Sequence, residues 1–174
     1  VHPVLMQTLA SMTDAHDIPM CIHAAESNAE VECVRSGTGE IAQHLAGRNL
    51  KWAPRGGSVI RYLNDVGALR PRTLLVHGVN VSAGDRQLIR DSGASWAHCP
   101  RSNAQLGVGV APLQWMEACS PRGQSRVGLG TDSVVSANTM DMFEEMRFAM
   151  LMQRGVRRTA EWPTAQDMLT MATM

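Results

Sequence analysis

Residues 73–103 read TLLVHGVNVSAGDRQLIRDSGASWAHCPRSN, and this stretch alone spells out a strand, a helix and a second strand. Thr73–His77 and Ser95–His98 are short apolar runs, and each ends on a histidine. Between them Ala83–Asp91 reads as a helix, with Ser82 a candidate cap for the segment that includes Asp85. Strands that are short and continuously apolar belong to a sheet covered on both faces, and a helix joining two of them makes a parallel crossover.

The same grammar extends in both directions. Pro19–His23 and Arg126–Gly130 are the outer strand candidates. Helices are expected over Asn28–Arg35, Glu40–Ala46, Ser58–Asp65 and Ala111–Ala118, and from about Thr139 to Gln153. Asn138 and Asp141 are candidate caps for the last, and Ser58 opens its helix after the break at Gly56-Gly57. Met142, Met146 and Met150 recur every four residues, which places flexible thioethers on one core-facing side. Gly47–Gly57, rich in Arg, Lys, Gly and Pro, reads as a loop insertion. The chain opens inside an apparent helix, VHPVLMQTLASMTDAHD, and residues 164–174 begin another without a cap, so both ends read as cut. The expected fold class is α/β.

Composition narrows the function. With 174 residues, 44% of them hydrophobic, the chain can bury one core. Sixteen basic and 16 acidic residues cancel, which argues against nucleic acid and an anionic membrane as partners. No run of about 18 apolar residues indicates a membrane span. Cys21, Cys33, Cys99 and Cys119 form no CxxC pair and no dense disulfide spacing, pointing to reduced thiols and a cytoplasmic setting. Composition leaves a homo-oligomer open.

The chemistry gathers at the strand ends. The first strand ends at His23 with Glu26 three residues later, and the second at His77. The third leads into Cys99-Pro100-Arg101-Ser102-Asn103, and the fourth into Thr131-Asp132-Ser133. In parallel α/β barrels the active site forms at the C-terminal strand ends. One histidine there is ordinarily a hydrogen-bonded core residue, but two histidines and an aspartate at equivalent ends make packing a poor explanation. Imidazole nitrogen and carboxylate oxygen are the donors of a catalytic divalent metal, which brings the pKa of water from about 15.7 to about 7. Glu26 is placed to move protons; its bland alternative is a charge at the start of the following helix.

Four stretches, IHAAESNAEVE, LLVHGVNVS, AHCPRSNAQLGVG and VGLGTDSVVSANTMDMFEEMR, together resemble the amidohydrolase superfamily in its deaminase and chlorohydrolase branch. The resemblance implies a partial (β/α)8 TIM barrel, strands five to eight, with residues 1–174 forming the C-terminal half. It implies one divalent metal ion, Zn2+ or else Fe2+. His23 then matches the strand-five metal ligand and Glu26 the proton-shuttling glutamate. His77 matches the strand-six histidine that orients water or substrate, or binds a second ion in two-metal members. Asp132 matches the strand-eight aspartate, both metal ligand and general base, while Asn103 and Ser133 fall in loops lining the site.

The implied activity is hydrolytic deamination of an aminopurine nucleoside-like substrate such as S-adenosylhomocysteine, 5′-methylthioadenosine or aminodeoxyfutalosine. A triazine-type chlorohydrolase would use much the same machinery. The family's strand-one HxH pair is absent, and neither His2 nor His16 replaces it. Half a barrel would also leave two open strand edges and an exposed inner face, so the isolated chain is expected to be poorly soluble, partly unfolded or self-associated. A non-catalytic barrel scaffold or binding module is the rival from another class, although it has no need of His23, Glu26, His77 and Asp132 together. A cytidine-type zinc deaminase requires a PCxxC segment that is missing. A thiol enzyme at Cys99 is disfavoured because His98, its neighbour on a strand, points to the opposite face.

Overall fold

The computed structural model describes residues 2–120 and 125–173. Four parallel strands lie side by side in chain order: β1 (Met20–Ala24), β2 (Thr73–His77), β3 (Ser95–His98) and β4 (Val127–Leu129). Helix α1 (Pro3–Ala15) precedes the sheet, and α2 (Asn28–Ser36), α3 (Gly39–Gly47) and α4 (Val59–Asp65) separate β1 from β2. Helix α5 (Asp85–Ser92) joins β2 to β3, followed by α6 (Pro100–Gln105) and α7 (Leu113–Ala118) before β4. After β4 come α8 (Val134–Ala137), α9 (Met142–Arg157) and α10 (Ala165–Thr173). The fold is α/β, as the alternation of apolar runs and helical segments requires. Val1 and Met174, at the outer ends of the two expected terminal helices, lie outside the described residues.

Strand pairing puts His23 opposite Val76, Ala24 opposite His77 and His98 opposite Leu129. Side chains alternate across a pleated sheet, so Leu75, Trp96 and Val127 share the face that packs with the helices. There Leu75, Ile60 and Leu113 lose all exposure. The other face carries Cys21, Leu74, Ser95, Ala97 and Gly128, of which Cys21 is open to solvent. Strands β1 and β4 each have one neighbour among the described residues. No helix among them is long and apolar enough to cross a membrane.

Several caps follow the sequence reading. Ser58 Oγ accepts the Arg61 N–H at 3.0 Å, and the Asp141 carboxylate accepts those of Phe143 and Glu144. Two caps are corrected. Ser82 does not cap α5, whose cap position is Gly84; instead the Asp85 carboxylate accepts the Ser82 N–H and O–H, at 2.8 and 2.7 Å. Asn138 does not cap α9 but closes α8, exchanging amide hydrogen bonds with Gln105. Met146 and Met150 pack against the core, as their spacing indicates. Helices α6 and α8 were not foreseen, since six and four residues are too few for a periodic pattern.

Candidate metal centre

Three of the four strands, β1, β2 and β4, end in a backbone turn with positive φ at a non-glycine residue. These are Ala25 (φ 52°) after β1, His77 (φ 73°) on β2 and Asp132 (φ 58°) after β4. Such conformations cost on the order of 1–3 kcal/mol each and cluster where a site needs a particular direction. At β2 the turn continues through Gly78 (φ 58°), where a Cβ would stand 1.5 Å from the Trp96 indole. Only glycine fits.

These turns bring four side chains to one point. His23 Nε2 lies 3.7 Å from Asp132 Oδ1, and His77 Nε2 lies 3.8 Å from Asp132 Oδ2 and 3.7 Å from Glu26 Oε1. The two imidazole rings are 5.1 Å apart. One ligand atom from each of His23, His77 and Asp132 lies within 4.8 Å of the others. His23 is 60% exposed at the sheet edge, whereas His77 is wholly buried.

The surroundings orient these groups. Asn103 Oδ1 accepts from His77 Nδ1 at 2.8 Å, which leaves the lone pair of the opposite nitrogen facing the centre. Burial opposes ionisation of Asp132, but hydroxyls from Ser102 (2.6 Å) and Ser136 (3.0 Å) donate to its Oδ2 and hold its pKa below the ordinary value. Ser133 contributes a backbone N–H to the same carboxylate, while its hydroxyl accepts from the Val135 N–H. Glu26 is tied at both ends of its backbone: its N–H donates to Glu30 Oε2 and its carbonyl accepts from Asn80 Nδ2, both at 2.8 Å.

Sequence reasoning did not find Ser102, Ser136, Asn80 or Glu30 as contributors. SxxE at Ser27–Glu30 is a helix-start signal that could have flagged Glu30; the others carry no pattern of their own. Cys99 is buried, and burial, followed by the Asp132 charge, pushes its thiol up to about 12, so it is no nucleophile. His98 is fully buried on the helical side of the sheet, and burial lowers its pKa to about 4.

The residues present suit a divalent metal. His77 Nε2 is buried without a hydrogen-bond partner, although it is aimed between two carboxylates. A buried nitrogen left unpaired is costly, and a cation at that point would satisfy it. Two imidazoles and a carboxylate are the donor set for zinc or iron(II).

Comparison with known proteins identifies the family. The model of the Amidohydrolase family matches residues 1–174. The chain belongs to the amidohydrolase family. This amidohydrolase chain is 34% identical over 169 residues to a 5-methylthioadenosine/S-adenosylhomocysteine deaminase of Halobacterium salinarum, covering 97% of itself and 34% of that protein. A zinc-bound adenosine deaminase from Xanthomonas campestris matches with a TM-score of 0.78 and 25% identity, over 99% of this chain and 35% of that one. Atrazine chlorohydrolase TrzN from Arthrobacter aurescens TC1 matches with a TM-score of 0.77 and 23% identity, over 99% and 34% respectively, which speaks to fold alone. The chain thus spans about a third of the length of these relatives.

Proposed function

We propose that these 174 residues are strands five to eight, the C-terminal half, of a (β/α)8 barrel in a cytoplasmic enzyme that deaminates an aminopurine nucleoside. His23 and Asp132 are its metal ligands, and His77 faces the metal and the reacting water. The observation that carries this reading is the convergence of His23, Glu26, His77 and Asp132 from three strand ends onto one point. The substrate class draws on the similar deaminases, of which the Halobacterium protein is an example. Accordingly, 5′-methylthioadenosine and S-adenosylhomocysteine are the substrates of choice.

A bound Zn2+ would supply Lewis acidity, making water a competent nucleophile near neutral pH. The remaining work falls to side chains. Asp132, kept ionised by its serine hydroxyls, takes a proton from the attacking water as the C–O bond forms at the amine-bearing ring carbon. Glu26 delivers a proton to the adjacent ring nitrogen, and the fixed peptide around it keeps the carboxyl in reach. His77, held by Asn103, accepts a hydrogen bond from the attacking water through its Nε2 lone pair and so orients it. The C–N bond then breaks as Asp132 passes its proton to the amine, which leaves as ammonia, and the remaining hydroxyl proton returns to Glu26 as the ring carbonyl forms.

The test is ammonia release by the zinc-loaded full-length protein from 5′-methylthioadenosine, S-adenosylhomocysteine and adenosine, with chloride release from atrazine as the chlorohydrolase arm. Release from the adenosine derivatives, and a loss of at least 1000-fold in kcat for Asp132→Ala, is expected, on the scale of lost general-base and metal-site function. Undiminished turnover by Asp132→Ala would overturn the mechanism.

A further inference from the structure

The least solvent-exposed carboxylate among the described residues has no part in the reaction above. It belongs to Glu145, on the first turns of α9, and it has no exposed surface. Its Oε2 accepts the backbone N–H of Arg101 at 3.3 Å. Its Oε1 makes no hydrogen bond, with Arg101 Nε standing 3.9 Å away. Burying a carboxylate in this incompletely satisfied state is unfavourable, and such groups persist where their position matters.

What Glu145 touches supplies the reason. Helix α6 begins poorly: its cap position, Cys99, makes no side-chain cap bond, and Pro100 at the first helical position has no N–H. Arg101 is therefore the first residue of α6 with a backbone donor, and Glu145 accepts it in the manner of a cap supplied from another helix. The next residue, Ser102, donates to Asp132, and the one after it, Asn103, accepts from His77. Arg101 is pinned from the same side, because its guanidinium pairs with Glu144 at 2.6 Å and donates to Thr139 Oγ1 at 2.7 Å. One short helix thus carries contacts to two residues of the candidate centre, and its start rests on α9.

We infer that Glu145 is a positioning residue of the metal centre, fixing the start of α6 so that Ser102 and Asn103 meet Asp132 and His77 in register. The inference rests on the metal reading above. Groups that orient metal ligands change metal affinity by about 10- to 100-fold when removed.

The experiment strips the full-length protein of metal and titrates zinc back against a chromogenic chelator, well below the melting temperature. Glu145→Ala is expected to weaken zinc binding at least tenfold. Glu145→Gln keeps an acceptor for the Arg101 N–H and should stay within about threefold of wild type, on the scale of a neutral replacing a charged hydrogen bond. Glu145→Asp keeps the charge but withdraws the carboxylate by one carbon. It should weaken binding several-fold, so the Asp and Gln variants decide the matter even where Ala does not fold. Ser102→Ala combined with Glu145→Ala should cost less than the product of the two single effects, because one acts through the other. Folded Glu145→Asp or Glu145→Ala protein that binds zinc like wild type overturns the inference and leaves the metal reading intact. Wild type that takes up no zinc overturns both.

Discussion

Glu145 and His98 are buried close to the candidate centre, and their titrations pull stability in opposite directions with pH. Burial, only partly offset by Arg101, raises Glu145 to about 7 from an ordinary 4.5. Between those values the folded chain holds a proton that the unfolded chain has lost. Stability therefore falls as pH rises through that window, and the cost is complete above it. His98, lowered to about 4 from 6.5, behaves oppositely: stability is lost as pH falls from 6.5 towards 4, because the unfolded chain takes the proton first. The contribution of Glu145 is read by comparison with Glu145→Gln, in which His98 is unchanged. Relative to wild type, the variant should gain roughly 3 kcal/mol in urea unfolding between pH 4.5 and 7.5, an upper value set by the pKa difference. A pH-independent difference would show that Glu145 is not buried as a charge. At this scale His23, Glu26, His77 and Asp132 were legible because their residue types stand out at the ends of apolar runs. Ser102 and Asn80 were not, since a serine or asparagine acquires its role only from the turn that aims it.

Elements carry the direction of these side chains. The turn His77-Gly78 is packed against Trp96, and both residues hold positive φ. Gly78→Ala combines overpacking against an indole with left-handed strain, and should cost on the order of 3 kcal/mol. Urea unfolding should show a lower midpoint at an unchanged slope; a midpoint within experimental error of wild type would mean that Trp96 yields freely. Strands β1 to β4 could be read to within about a residue, because a continuous apolar run followed by a polar one is a sharp signal. Caps were harder. Ser82 and Asp85 are both capping types, and only the backbone decides which accepts from which. Helix α6 escaped periodic reading altogether, although it links Asp132 and His77 through consecutive residues.

Across the whole molecule, β1 and β4 lie at opposite sides of the sheet, yet His23 and Asp132 approach to 3.7 Å over the end of the strands. A curved sheet with positive-φ exits brings about what a flat one would not. The parallel order and the helices between strands were legible from alternation alone. The closeness of the two outer strands' side chains was expected only from the family resemblance, which makes His23 and Asp132 ligands of one metal, because composition and spacing carry no mark of it.

The most direct test of the central claim is an anomalous difference map at the zinc edge from crystals of the zinc-loaded full-length protein. One peak is expected within about 2.0–2.2 Å of a His23 ring nitrogen and an Asp132 carboxylate oxygen, facing His77 Nε2. A zinc peak elsewhere, or none in protein that still releases ammonia, would contradict that claim.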